Sequence, residues 1–305
     1  MLDVALLGTG GMMPLPNRFL TSLLCRLNGS MLLIDCGECT QVTMKLMGWG
    51  FKNIDVLCIT HFHADHISGL PGLLLTMGNS GKTDNLTIIG PSGIREIVKG
   101  LCVIAPELPF AIDFIELPRP IKNDFEIKIN DYVINALPLD HGVMCYGYSL
   151  EVKRTGKFDL EKAKALNLPC IYWSHLQNGE EVLYNGNIYT PDMVLGEERK
   201  GIKLSYCTDS RPAKTIPDFI SDSDLFICEG IHGEIERFDK VREHKHMLFS
   251  EAADLAKKGN VSELWLTHYS PALLNPKEFL HMATDIFPNT IAGKDRMSKT
   301  LLFQD

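Results

Sequence analysis

Four residues of types that bind metal ions lie within six consecutive positions of the chain. They are His61, His63, Asp65 and His66. Histidines at positions i and i+2 of an extended segment point to the same side, so His61 and His63 can bind one metal ion. The chain then turns, which directs Asp65 and His66 toward a second position. Because two metal ions about 3.5–4 Å apart can share a hydroxide and stabilise both oxygens of an ester displacement, the cluster predicts hydrolytic chemistry.

Two complete metal sites need more ligands than this segment supplies. Three further candidates each follow an apolar, strand-like run: His141, Asp209 and His268. The strands that precede them could end at one edge of the fold, which would bring the three side chains to the histidine cluster. We therefore expect all seven residues to form one centre.

The elements that must position these residues are short. Apolar runs at residues 4–7, 21–27, 31–34 and 56–59 predict strands, and residues 40–47 and 67–77 predict helices. Helices interleaved with more numerous strands predict an α+β fold with two sheets covered by helices on their outer faces. Residues 151–203 are polar and lack a clear core period. We predict a single domain over residues 1–305, with an inserted arm at about 151–203.

Composition excludes some classes of protein. A formal net charge of −8 argues against indiscriminate coating of nucleic acid, but it leaves room for an enzyme with a local basic patch. Nine scattered cysteines fit neither a disulfide framework nor a zinc ribbon, and they predict reduced thiols in a cytoplasmic protein. The N-terminus lacks a positively charged leader, and no run approaches the roughly 20 apolar residues of a membrane span. We therefore expect a soluble protein.

Several motifs, spread over nearly the whole chain, resemble the metallo-β-lactamase superfamily and, within it, the ribonuclease Z family of enzymes that trim tRNA precursors at the 3′ side. The similar segments are residues 7–10, 33–41, 59–72, 89–93, 141–148, 208–212, 251–256 and 266–270. The resemblance implies a four-layer αββα sandwich. It also implies a homodimer in which the arm of one subunit serves the site of its partner.

The resemblance assigns ligands to two Zn²⁺ ions per subunit, and Mn²⁺ accepts the same ligand types. The first ion would be held by three histidines: His61, His63 and His141. The second would be held by a mixed set: Asp65, His66 and His268. Asp209 would bridge the two ions, and Asp35 would accept a hydrogen bond that orients the ligand loop.

Catalytic roles follow from the same resemblance. A metal-activated hydroxide would be the nucleophile, and Asp65 could orient it or accept its proton. His246, held by Glu229, would stabilise the transition state or protonate the leaving oxygen, and His244 competes for this role. Arg18 is retained from a segment that binds substrate in the family.

Other segments depart from the family pattern. Pro16 and Phe19 replace residues of the N-terminal substrate motif, and Ile231 and Leu248 replace threonines near the glutamate and the histidine. Residues 151–200 hold seven Lys and Arg against eight Asp and Glu, so the arm has no basic surplus with which to bind phosphates.

Four functions are therefore compared. The leading hypothesis is a phosphodiesterase that cleaves tRNA precursors, and the alternative is one that cleaves a small or cyclic phosphodiester. A redox protein on this fold would need Glu in place of His63. A non-catalytic binding protein is disfavoured by the intact ligand set, because a zinc site with an open position is typical of catalysis.

Overall fold

Strands form two mixed seven-stranded sheets and one hairpin in the computed structural model, which describes residues 1–105, 107–118, 126–197 and 199–304. The strands are β1 (Leu2–Gly8), β2 (Ser22–Leu27), β3 (Ser30–Ile34), β4 (Ile54–Cys58), β5 (Leu86–Pro91), β6 (Ile112–Leu117), β7 (Ile127–Ile129), β8 (Tyr132–Pro138), β9 (Tyr146–Arg154), β10 (Val182–Tyr184), β11 (Asn187–Tyr189), β12 (Arg199–Cys207), β13 (Leu225–Glu229), β14 (Leu264–Thr267), β15 (Thr290–Ala292) and β16 (Ser298–Leu301). The helices are α1 (Thr40–Met47), α2 (Ala64–Ile67), α3 (Leu70–Asn79), α4 (Ile94–Leu101), α5 (Leu160–Ala165), α6 (Trp173–Gln177), α7 (Ile216–Phe219), α8 (Phe238–Glu243), α9 (Phe249–Lys258) and α10 (His281–Thr284).

Parallel pairing dominates the half of each sheet that leads to the candidate site. The first sheet has the order β16-β1-β2-β3-β4-β5-β6, and its strands β3 to β6 are parallel. The second has the order β15-β14-β13-β12-β9-β8-β7, and β12 to β15 are parallel. Parallel strands end at the same edge of a sheet, so the loops after β3 and β4 are neighbours, as are those after β12, β13 and β14.

The two sheets face each other, and each has helices packed on it. The hydroxyl of Tyr132 in β8 donates to the carbonyl of Ser30 in β3 at 3.1 Å, and that of Tyr148 in β9 donates to the carbonyl of Ile59 at 2.7 Å. Helices α1, α3 and α4 share an apolar core with the first sheet, and α7, α9 and α10 share another with the second. The predicted α+β fold with helix, sheet, sheet and helix layers is confirmed.

The helix predicted at residues 67–77 is wrong at its start, because the chain forms α2 and α3 instead of one helix. The amide of Gly69 donates to the carbonyl of Cys36 at 2.9 Å, so it leaves the helical hydrogen-bond pattern. A Cβ at Gly69 would lie 2.2 Å from the carbonyl oxygen of Gly37, so only glycine allows this close approach to the loop after β3. Pro71 then lies in the first turn of α3, where its missing N–H costs little.

Residues 152–202 and the C-terminal residues form a compact unit of their own, distinct from the unit of Met1–Glu151 and Lys203–Leu302. This segment has a core although its sequence shows no clear core period. Six buried side chains form its core: Ala163, Leu168, Leu176, Val182, Val194 and Leu195. Each short element supplies only one or two of them, so they leave no periodic signal. Throughout the described ranges, no helix is long and apolar enough to cross a membrane.

Candidate metal centre

The predicted site residues lie where strands of both sheets end. Asp35 follows β3, the His61–His66 segment follows β4, Asp209 follows β12 and His268 follows β14. Three of these residues have a left-handed backbone, with φ of 60° at Asp35, 56° at Asp209 and 58° at His268. Such φ values are uncommon for residues other than glycine, and they concentrate at functional sites.

The seven predicted ligands form two groups within the main unit. In the first group, one ligand atom from each residue lies within 4.8 Å of the others: His61, His63, His141 and Asp209. The second group meets the same limit: Asp65, His66 and His268. The loop of His141 is fixed beside that of Asp209, because the amide of Arg211 donates to the carbonyl of Asp140 at 3.0 Å.

Asp209 stands between the two groups. Its Oδ2 lies 3.1 Å from Nε2 of His66 and 3.3 Å from Nε2 of His268. Its Oδ1 lies 3.9 Å from Nε2 of both His61 and His141. One carboxylate oxygen therefore faces each group, which is the arrangement that a bridging ligand requires.

The donor set fits metal ions. Nε2 of His61 is buried and has no hydrogen-bond partner within the described residues, although buried polar atoms are almost always paired. Burial raises the pKa of the Asp209 carboxyl, but the charges of His268 and His66 outweigh it and hold that pKa well below its usual range. A buried, ionised carboxylate among imidazoles favours a cation at the centre of the cluster.

Asp35 holds the ring of His66. Nδ1 of His66 donates to Oδ2 of Asp35 at 2.7 Å, and the amide of Thr60 donates to Oδ1 at 2.8 Å. The hydroxyl of Thr60 also donates to Oδ2 at 2.9 Å. With Nδ1 occupied, His66 presents Nε2 to the centre, as the predicted orienting role requires.

His246 lies at the edge of the two groups, with its ring centroid 5.5 Å from that of His268. Its Nδ1 donates to Oε2 of Glu229 at 2.9 Å, while Oε1 of Glu229 accepts from the amide of Ser210 at 2.5 Å. Burial lowers the pKa of His246, but the charge and hydrogen bond of Glu229 outweigh it and raise that pKa to about 9. The structure pairs Glu229 with His246, whereas His244 is exposed on the cavity wall.

A cavity of about 350 Å³ opens onto the centre. Its near wall includes His63, Asp65, His141 and Asp209. Five other lining residues come from the segment between Glu229 and His246 and are called the far wall below: Ile231, His232, Lys240, Val241 and His244. Arg18 is not among the described residues that line it. The guanidinium instead donates to the carbonyls of Leu273 and Leu274 at 2.7 Å each, so it supports a loop, and its predicted contact with substrate stays a prediction.

Sequence reasoning missed two contacts near the N-terminus. A Cβ at Gly11 would lie 2.6 Å from Cε1 of His268, so glycine is needed for the ring to fit. The amide of Met12 donates to Oδ2 of Asp65 at 2.7 Å. The family-like segment at residues 7–10 was the one signal that pointed to this region, and it did not indicate which residues the loop would contact.

Arg211 is a further residue that the pattern did not identify. Its Nη1 donates to the carbonyl of His246 at 2.5 Å and to Oε2 of Glu251 at 3.0 Å, and its Nη2 pairs with Oε1 of the same carboxylate. Glu251 also accepts from the amide of Leu248 at 2.9 Å. Arg211 therefore fixes the loop that carries His246 to the start of α9.

Comparison with solved structures identifies the fold class of the chain. The chain has a TM-score of 0.70 with the short form of human tRNase Z, at 22% identity over 99% of this chain and 100% of that one. It has a TM-score of 0.69 with the metallo-β-lactamase fold protein YhfI from Bacillus subtilis, at 19% identity over 98% and 100%. The fold is therefore the metallo-β-lactamase fold, as the motifs predicted.

The family follows from closer relatives. The chain is 57% identical to ribonuclease Z of Lachnoclostridium phytofermentans over 99% of both chains, and 54% identical to that of Clostridium acetobutylicum over 100% of both. A family model described as anti-Pycsar protein Apyc1 also matches residues 2–152. The chain belongs to the ribonuclease Z family.

Proposed function

We propose that this protein is a metal-dependent endoribonuclease that cleaves tRNA precursors at their 3′ side. The observation that carries the proposal is the pair of ligand groups with Asp209 between them, in a chain more than half identical to enzymes named ribonuclease Z. Two adjacent metal ions suit the in-line displacement of a phosphodiester, because they stabilise charge on both the attacking and the leaving oxygen.

The proposed ligands divide between two ions, Zn²⁺ or Mn²⁺. The first would be held by His61, His63 and His141, and the second by Asp65, His66 and His268, with Asp209 shared. When bound, the ions supply Lewis-acid stabilisation of the phosphate and an activated water nucleophile. Asp35 would hold His66 so that its Nε2 can bind the second ion.

Protein side chains would move the protons. Asp65 would orient the attacking water or accept its proton. As the new P–O bond forms and the ester P–O bond breaks, His246 donates a proton to the leaving oxygen. Glu229 keeps His246 protonated before the reaction by raising its pKa to about 9, and it fixes the ring orientation.

The test is cleavage of a 3′-extended tRNA precursor beside hydrolysis of bis-p-nitrophenyl phosphate, a small diester. Wild type should cleave the precursor at one position, and His63→Ala should lose both activities, with metal content measured by mass spectrometry to identify the ions. Hydrolysis of the small diester alone would overturn the proposal. The balanced charge of residues 151–200 favours that alternative, a phosphodiesterase for a small or cyclic diester.

The unit of residues 152–202 allows a second test. Lys157 and Lys164 are exposed in the unit of residues 152–202. If that unit binds tRNA, Lys157→Gln with Lys164→Gln should raise the KM for the precursor and reduce its salt dependence, since each lost phosphate contact lowers the salt slope by about one. Equal KM values for the double variant and wild type would remove the arm from the tRNA contact.

We further propose a homodimer in the cytoplasm. Exposed apolar side chains lie on α1 and α3: Val42, Leu46 and Leu75. The two helices are joined by a 2.5 Å hydrogen bond from Thr76 to Gln41. Light scattering should give a dimer mass for wild type and a monomer mass for Leu46→Glu. All nine cysteines are free thiols, as suits a reducing compartment.

A further inference from the structure

The far wall of the cavity contains a histidine that the reaction does not use. His232 is 5% exposed, and its buried Nδ1 has no hydrogen-bond partner in the described chain. Oε2 of Glu234 is also buried without a partner, and it lies 3.6 Å from that Nδ1, which is too long for a hydrogen bond. Because buried polar atoms are almost always paired, this carboxylate and imidazole are suited to bind a ligand.

His232 is held beside the loop of His246. Its carbonyl accepts from the amide of Phe249 at 3.1 Å, and the amide of Ile231 donates to the carbonyl of Met247 at 3.0 Å. Burial lowers the pKa of His232. The ring is therefore neutral near pH 7, with one nitrogen that donates and one that accepts.

The other residues of the far wall suit a nucleotide. Ile231 and Val241 are apolar, mostly buried and among the residues that line the cavity, so they give this wall an apolar character. Lys240 is exposed at the same wall, and its ammonium makes no hydrogen bond or ion pair with any described residue. A free ammonium beside an apolar surface matches the phosphate and the base of one nucleotide.

We propose that the far wall is a nucleotide subsite, in which His232 hydrogen-bonds the base of the nucleotide next to the scissile phosphate and Lys240 contacts the RNA backbone. Glu234 positions the ring by accepting from Nδ1 once the base engages the other nitrogen. Unlike the pair of Glu229 and His246, the subsite contacts a base and moves no proton. This inference rests on the proposed RNA substrate.

The test uses tRNA precursors that carry each of the four bases on either side of the cleaved bond, with bis-p-nitrophenyl phosphate as a substrate without a base. Relative to the small diester, His232→Ala should raise the KM for RNA by about tenfold and flatten the base preference at one flanking position, as expected for a lost base contact. His232→Asn, which keeps a neutral donor and acceptor, should restore part of that preference.

Lys240→Gln separates the two contacts. It should raise the KM equally for precursors with each of the four bases, because a phosphate contact carries no sequence information. It should also lower the salt slope of binding by about one. Glu236→Gln is the matched control, since Glu236 is exposed on the same segment and is not among the cavity residues. It should behave as wild type on both substrates.

Three outcomes would overturn the inference. If His232→Ala keeps the wild-type KM and base preference on RNA, His232 reads no base. If it reduces small-diester hydrolysis as much as RNA cleavage, it acts through the metal centre. If wild type cleaves the small diester but no RNA, the proposed function fails, and the subsite then has no nucleotide to bind.

Discussion

The ring of His246 donates from Nδ1 to Oε2 of Glu229 at 2.9 Å, and the carboxylate that accepts this bond is fully buried. Because the pair raises the pKa of His246 to about 9, the protonated ring stabilises the fold below its ordinary pKa of 6.5. That contribution is lost as the pH rises from 6.5 through 9. The same proton is the one that the proposed reaction needs.

Glu229→Gln should move the alkaline limb of the pH–rate profile to lower pH. Without the carboxylate, burial lowers the pKa of His246, and the donor is lost at neutral pH, for a loss of about 10²-fold in kcat. The profile of kcat/KM on the tRNA precursor measures this shift, because the leaving oxygen of RNA needs a proton whereas p-nitrophenolate leaves without one. An unchanged alkaline limb would show that His246 does not supply the proton.

Gly11→Ala should weaken the second metal group. The new Cβ would lie 2.6 Å from Cε1 of His268, so that ring must move away from Asp65 and His66. We expect at least a tenfold loss of kcat together with a lower metal stoichiometry. Gly100→Ala is the control, because its Cβ meets open space at the end of α4. Equal metal content in the two variants would contradict the prediction.

Arg211→Lys should lower kcat by about tenfold and reduce the melting temperature. Lysine cannot reproduce the two-pronged bond to Glu251 while it also donates to the carbonyl of His246. The loop of His246 would then lose its attachment to α9. Arg242→Lys, at an exposed position of α8, should change neither quantity. A variant with wild-type kcat would exclude Arg211 from positioning His246.

Removal of metal by a chelator should lower the melting temperature reversibly. An ion at 100-fold its Kd stabilises the native state by about 2.7 kcal/mol, and this contribution disappears in the metal-free protein. Asp209→Asn should show a much smaller shift, because the shared ligand is weakened, whereas the exposed-site variant Asp239→Asn should match wild type. Calorimetry with and without zinc measures each shift, and equal shifts in both variants would argue against a bridging role.

Local pattern predicted which residues lie together at the candidate centre, but it did not predict the contacts that hold them there. His61, His63 and His66 are evident because they lie within six consecutive positions of one segment. Gly11 and Arg211 act on residues far away in the chain, and nothing in their local sequence indicates which ring or carbonyl they will meet. The break between α2 and α3 was not predicted for the same reason, because Gly69 contacts the loop after β3.

Both candidate metal groups take ligands from both sheets. His61 and His63 come from the first sheet and meet His141 and Asp209 of the second, and His66 of the first meets His268 of the second. A metal ion in either group would therefore cross-link the two halves of the sandwich at their shared edge. A loaded molecule pulled apart at that edge would have to break coordination bonds before it could lose its core, so metal supply would set the mechanical strength of the fold as well as its chemistry.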